Sequence, residues 1–333
     1  MGQTKSTPTS SAKIHYQPQL HLYHPKTKAR QFESSACSDI GGRPYQEDRH
    51  IILEDLPTHF PTVTVPSSLY VVLDGHGGHQ CADFVQSNFA EILCTTEEFQ
   101  QSNYPAAFRT TFQQLETQWT KLATSRNSSG WSAGTCVLAA LVLEEGLYVA
   151  WVGDCRMTGY SDRGTTGAAQ PRPMQHMTTD HKPTAPIERD RIIKMGGEIR
   201  AVERRMGCCG AADVGPKRVF PGGLAVARSI GTIKCKLPMF KAVLGAVVAT
   251  PDVLFVVPDP GIRWLVLGSD GLWDYFPLSK KLASVVDRGS DDGRSSSRDM
   301  AAHVLKAIRK NHSVRSPDNV TILVIKLKLE NSE

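Results

Sequence analysis

Four groups of acidic residues stand beside short apolar runs: Glu47-Asp48, Asp74-Gly75-His76, Asp270-Gly271-Leu272-Trp273-Asp274 and Asp318-Asn319. Carboxylates and backbone carbonyls are hard oxygen ligands. A site built from them, without cysteine or several histidines, suits Mg2+ or Mn2+ rather than Zn2+. Taken singly, an Asp-Gly pair is more often just a turn. Here the acids adjoin the apolar residues 71–73, 264–267 and 320–324, and the rim of a strand core holds carboxylates rigidly, as a metal site needs. Two divalent cations about 3.5–4 Å apart can activate water and clamp a phosphoryl oxygen, which supports in-line displacement without a covalent enzyme intermediate. The chemistry these residues predict is metal-assisted phosphoester hydrolysis.

Such a rim needs strands behind it. Residues 69–73 form a short β-branched apolar run that stops at Asp74-Gly75, which predicts a buried strand ending in a tight turn. Ala82, Val85, Phe89 and Leu93 recur at helical spacing, and a second helix over 104–124 carries Phe108, Phe112, Leu115 and Trp119. Strands are predicted at 135–143 and 147–152 around the turn Glu144-Glu145-Gly146, and again at 247–257, 263–267 and 320–327. Further helices are expected over 187–195, ending at Gly196-Gly197, and over 278–286 and 299–308. Residues 199–221 mix Arg, Cys, Gly and Ala without a clean period and read as a loop over the site edge. Hairpin-joined strands with helices in pairs predict sheet packed on sheet, covered by helices.

The residues resemble the type 2C family of metal-dependent protein serine/threonine phosphatases, in the family's order, across residues 36–328. The resemblance rests on Arg43-Pro44-Tyr45-Gln46-Glu47-Asp48, Asp74-Gly75-His76-Gly77-Gly78, Ser132-Ala133-Gly134-Thr135 and Val152-Gly153-Asp154-Cys155-Arg156. It continues through Asp180-His181-Lys182-Pro183, Glu188 to Gly197, Leu224-Ala225-Val226-Ala227-Arg228, Asp270 to Asp274 and Asp318-Asn319-Val320-Thr321. It implies an α+β fold, a four-layer αββα sandwich of two antiparallel β-sheets flanked by pairs of α-helices, with a catalytic domain over residues 34–329. By the same resemblance, Asp74 bridges two cations, Glu47 and the Gly75 carbonyl complete one, and Asp270 and Asp318 hold the other. Asp48 is expected to accept from metal-bound water, and Asp154, Asp270 and Asp274 match the acids that hold a weaker third cation. Arg43 matches the family's phosphate-binding arginine, a role that suits a forked guanidinium. His76 is the candidate general acid for the leaving alkoxide, and His181 is read as structural support.

One departure stands out. After Arg228-Ser229-Ile230-Gly231 the family usually carries Asp, and this chain carries Thr232. A neutral residue there supports an alternative reading, a catalytically weak or inactive phosphatase-fold scaffold that binds phosphoproteins. A two-metal nuclease shares the acid chemistry but not the motif order.

Composition is that of an ordinary globular protein: 333 residues, 40% hydrophobic and 21% charged. No stretch approaches the ~20 consecutive apolar residues of a membrane-spanning helix. The cysteines show no Cys-x-x-Cys pair and are read as reduced thiols of the cytoplasm. Residues 1–31 carry Lys5, Lys13, Lys26, Lys28 and Arg30 and no acid, which accounts for the whole formal net charge of +5. The neutral remainder offers little to a nucleic-acid backbone. Residues 1–33 are therefore expected to be a flexible basic extension, and Met1-Gly2-Gln3-Thr4-Lys5-Ser6 fits the N-myristoylation pattern. One acyl chain binds membrane only marginally, so nearby basic residues would assist a peripheral contact on the cytosolic face. Phosphorylated proteins are the expected partners, and a monomer is the expected state.

Overall fold

The computed structural model describes residues 32–125, 129–161, 173–205, 212–259, 261–277, 279–289, 296–310 and 318–327. Residues 1–31 of the basic arm, with its myristoylation pattern, lie outside them, as do Cys208 and Cys209, whereas Phe32 and Glu33, expected to end the extension, already pair with the strand Val320–Leu327 of the body. The six cysteines within them are all free.

The run at residues 69–73 is apolar on both faces, so a strand made from it must be covered on both. One sheet has the order β11-β5-β4-β3-β2, from β2 (Arg49–Leu53), β3 (Ser68–His76), β4 (Gly134–Val142), β5 (Leu147–Val152) and β11 (Asp252–Val256), with the short β10 (Ile230–Gly231) against β4. The other has the order β1-β13-β12-β6-β7, from β1 (Phe32–Asp39), β6 (Arg156–Ser161), β7 (Pro173–His176), β12 (Ile262–Gly268) and β13 (Val320–Leu327). All pairings in both sheets are antiparallel.

Side chains alternate between layers because successive strand residues point to opposite faces. Tyr70 and Val72 of β3 and Leu138 and Ala140 of β4 meet Leu265, Leu267, Leu323 and Ile325 of the facing sheet. Leu69, Val71 and Leu73 point the other way, into Val85 and Phe89 of α2 (Gln80–Thr95) and Phe108 and Phe112 of α4 (Tyr104–Ser125). Val266 and Val324 pack against Leu282 and Val286 of α7 (Ser279–Gly289) and Val304 and Ile308 of α8 (Ser297–Lys310). Each fully buried side chain of this size stabilises the fold by about 1.5–3 kcal/mol. The four layers are thus helix pair, sheet, sheet, helix pair, as expected. Short turns α1 (Leu56–His59), α3 (Glu97–Gln100) and α6 (Asp270–Trp273) and the helix α5 (Pro186–Lys194) complete the set. Among the described residues no helix is long and apolar enough to cross a membrane.

Two expectations need correction. Within residues 199–221 the described part is strand, not loop: β8 (Glu198–Arg205) and β9 (Ala212–Phe220) pair antiparallel. Val219 is buried, Ile199 packs on the inter-sheet core, and the Arg200 guanidinium lies 3.8 Å from the Phe220 ring centre. The strand expected over 247–257 begins only at Asp252, after Pro251, a residue with no N–H to give a ladder. Residues 247–248 are spent instead on the stretch before β10, where Ser229 N donates to Val248 O at 3.0 Å.

Candidate metal centre and active site

The acids arrive at one end of the sandwich because their strands end there. Asp74 and Gly75 close β3, and the register that sets Arg49 opposite Leu73 brings Glu47 and Asp48 alongside. Gly75 lies so close to that neighbour that a Cβ on it would sit 2.3 Å from the Glu47 carbonyl oxygen. In the facing sheet, Asp270 follows the end of β12 and Asp318 precedes β13. Asp154 lies in the turn from β5 to β6, where the chain crosses between the sheets.

The result is a cleft of about 410 Å³ lined by Glu47, Asp74, Gly75, Asp154, Asp270, Asp274 and Asp318, with Arg43 and His76 on its wall. Asp74, Asp154 and Asp270 each bring a carboxylate oxygen within 4.8 Å of the others. Asp48 lies behind them, buried, and accepts a hydrogen bond from Ser269 Oγ at 2.7 Å. The candidate ligands and the candidate catalytic pair Arg43 and His76 are therefore in the cleft or directly behind it.

Like charges this close repel by about 3–4 kcal/mol per pair at an effective dielectric of about 20. Burial first, then the carboxylates of Asp270, Asp48, Asp154 and Asp318, pushes Asp74 well above the usual carboxylate range. Asp270 is raised by burial and by Asp154, Asp318 and Asp274, with Lys182 opposing. Burial lifts Asp48 to about 7 despite its hydroxyl donor. A cluster of hard oxygen donors under this strain, with a close-approach glycine presenting its carbonyl, fits divalent cations.

The surrounding bonds fix these groups. Asn319 Oδ1 accepts from Glu47 N at 2.8 Å, and its Nδ2 donates to the carbonyls of Ile40 (2.9 Å) and Tyr45 (3.2 Å), which ties down the loop bearing Arg43. Arg43 Nη2 donates to Asp318 Oδ2 at 2.5 Å. Glu47 Oε1 accepts from Gly78 N at 2.6 Å, and Asp74 Oδ2 from Asp270 N at 3.3 Å, a link between the sheets. Asp154 is held by Lys182 and by Cys136 Sγ at 3.2 Å. His181 pins the turn before Asp154: its Nδ1 accepts from Gly153 N at 3.1 Å, its Nε2 faces Asp252 Oδ2 at 3.1 Å, and its ring stacks on Trp151. His76 Nε2 lies 2.7 Å from Thr232 Oγ1, and burial lowers this histidine to about 4.

Lys182, Asn319, Ser269 and Cys136 were not singled out from sequence. Lys182 and Asn319 sit inside motifs already quoted, so their signal was adjacency to a candidate. Cys136 carried none, because only the register of β3 on β4 sets it opposite Asp74.

The family model described as Protein phosphatase 2C matches residues 33–316, and the chain belongs to this family. A rice protein, "Probable protein phosphatase 2C 27" (Oryza sativa subsp. japonica), is 31% identical over 73% of this chain and 62% of its own length. Another from rice, "Probable protein phosphatase 2C 47", is 28% identical over 88% of this chain and 69% of its own length. Among solved structures, a Toxoplasma gondii serine-threonine phosphatase 2C superposes with a TM-score of 0.70 at 20% identity, over 91% of this chain and 97% of that one. A C. elegans sex-determining protein gives a TM-score of 0.64 at 20% identity, over 91% and 66%. At these identities the structural likeness speaks for the fold.

Proposed function

We propose that this chain is an active protein phosphatase that hydrolyses phosphoserine and phosphothreonine at a site for two divalent cations, Mg2+ or Mn2+. The observation that carries this reading is the convergence of Asp74, Asp154 and Asp270 within 4.8 Å in one cleft. Asp74, Glu47 and the Gly75 carbonyl would hold one cation and Asp74, Asp270 and Asp318 the other, with Asp154, Asp270 and Asp274 available to a weaker third. Cations bound there supply an activated water and positive charge for the phosphoryl oxygens. Arg43, at the cleft wall, turns its forked donors to the phosphate. Asp48 takes a hydrogen bond from the attacking water. As that water's oxygen bonds to phosphorus, the bond to the seryl or threonyl oxygen breaks and His76 protonates it. The proton lost by water and the one regained by His76 exchange with solvent, so an ester and water become an alcohol and phosphate.

Phosphate release from a phosphothreonine peptide tests this. Wild type should turn over with Mn2+ or Mg2+ and stop with chelator, and Asp270→Asn should lose at least ~100-fold, as removal of a charge-stabilising group does. Thr232, neutral and buried in the catalytic neighbourhood, favours the second reading, the phosphoprotein-binding scaffold. A wild type that binds the peptide and leaves it intact under every metal condition would replace the first reading with that one.

Two further parts of this reading rest on sequence alone. Gly2 is a site of N-myristoylation, and with the basic arm it gives a peripheral contact with the cytosolic membrane face. An unmodified N-terminus in the intact mass of protein from native cells rules that out.

A further inference from the structure

Thr232 has a backbone conformation that a β-branched residue rarely adopts, with φ of +51°. Such a conformation costs of order 1–3 kcal/mol and persists only where neighbours over-determine it. Here they do. Thr232 N donates to Ala133 O at 2.8 Å, Cys235 N donates to Thr232 O at 2.8 Å, and the residue is almost fully buried. Its Oγ1 lies 2.7 Å from His76 Nε2 and 3.4 Å from Ser229 Oγ. Space for this contact is kept by Gly134 of β4, the strand paired with both β3 and β10, where a Cβ would stand 1.9 Å from Thr232 Oγ1 and 2.6 Å from His76 Nε2. Backbone, glycine and hydroxyl thus converge on one ring nitrogen, while His76 Nδ1 makes no hydrogen bond among the described residues.

We propose that Thr232 is a positioning residue for His76: its hydroxyl engages Nε2 and so fixes the imidazole with Nδ1 as the atom that delivers the proton to the leaving oxygen. The inference rests on the phosphatase reading. With both ring nitrogens protonated, Nε2–H donates to Thr232 Oγ1, whose own hydrogen turns to Ser229 Oγ. When Nδ1 gives its proton to the alkoxide, the neutral imidazole keeps the Nε2–H bond, so neither ring orientation nor tautomer has to change during the step. A carboxylate at this position would also hold the ring, but it would bring a charge beside the acidic cluster. The hydroxyl holds the ring without one.

The test compares two substrates that differ in their need for an acid, with saturating Mn2+. A phosphothreonine peptide expels an alkoxide and depends on protonation, whereas p-nitrophenyl phosphate expels a stabilised phenolate and depends on it much less. Thr232→Gly removes the hydroxyl and accepts the positive φ freely. It should lower kcat on the peptide by about tenfold or more, part of the 10²–10⁴-fold that general acid catalysis supplies, and lower it severalfold less on p-nitrophenyl phosphate. Thr232→Ser should restore the peptide rate. If the glycine variant proves unstable, Thr232→Asn suits the same backbone and its longer amide displaces the ring, giving the same selective loss. Equal losses on both substrates, or a serine variant no better than glycine, would overturn the inference. His76→Ala separates this failure from a deeper one. If it loses selectively on the peptide while the Thr232 variants do not, only the role of Thr232 falls. If His76→Ala shows no selectivity either, the acid role of His76 falls with it.

Discussion

At the scale of single residues, the site is governed by how closely main chains approach. Gly75 shows this most directly, because any side chain there meets the Glu47 carbonyl at 2.3 Å, and backbone cannot swing aside as a side-chain tip can. Gly75→Ala should therefore push β3 away from the Glu47 loop. The expected cost is about 1–3 kcal/mol of stability, typical of overpacking, together with a weaker half-saturation for Mn2+ in the phosphate-release assay. Unchanged melting and unchanged Mn2+ dependence would show that the approach is looser than described. The acids themselves were legible in the sequence because each stands next to an apolar run. The groups that hold them were not: Lys182 and Cys136 reach Asp154 only after separate strands have been brought together.

At the scale of elements, the apolar runs of β3, β12 and β13 were readable, since a strand buried on both faces has no polar side to confuse the pattern. β1 was missed because Phe32–Asp39 is rich in Ser and charge and is recruited by its register on β13 rather than by its own composition. The β8–β9 pair was missed for a related reason, charged residues being scattered through both strands. It nonetheless borders the cleft through Pro216 and Arg218. Elsewhere, charge joins elements outright. Arg228 reaches Glu188 of α5 at 2.5 Å and Asp252 of β11 at 2.8 Å, and Asp252 also faces His181. Asp252 is held down to about 2, first by its bond with His181 and then by Arg228. Arg228→Met should cost about 3 kcal/mol in urea unfolding, at the low end for a broken buried pair because Arg191 still faces Glu188. A shift below about 0.5 kcal/mol, the range of ordinary surface substitutions, would mean that the network decorates the fold without joining it.

At the scale of the whole molecule, Asp74, Asp270 and Asp48 are raised above the roughly 3.9 of an unfolded aspartate. The folded, cation-free protein then binds more protons than the unfolded chain, so these groups lower its stability as pH rises above about 4, Asp48 doing so through about 7. His76, held near 4, acts in the opposite sense below about 6.5. The difference between chelated and Mg2+-loaded protein largely cancels that second contribution. Cations bind the ionised acids, so the increase in Tm on adding Mg2+ should grow from pH 5 to pH 7.5. An increment that is constant or shrinks over that range would remove these carboxylates as the cation ligands. The two sheets also interleave along the chain, β1 and β6 on one and β2 to β5 on the other, and β13 is an interior strand between β1 and β12. A ribosome making this chain delivers Asp74, Asp154 and Asp270 well before Asp318, and β1 cannot join its sheet until β13 has been made. On the phosphatase reading proposed above, the growing chain therefore stays inactive until synthesis passes residue 327, because early release leaves both the sheet and the acidic cleft incomplete.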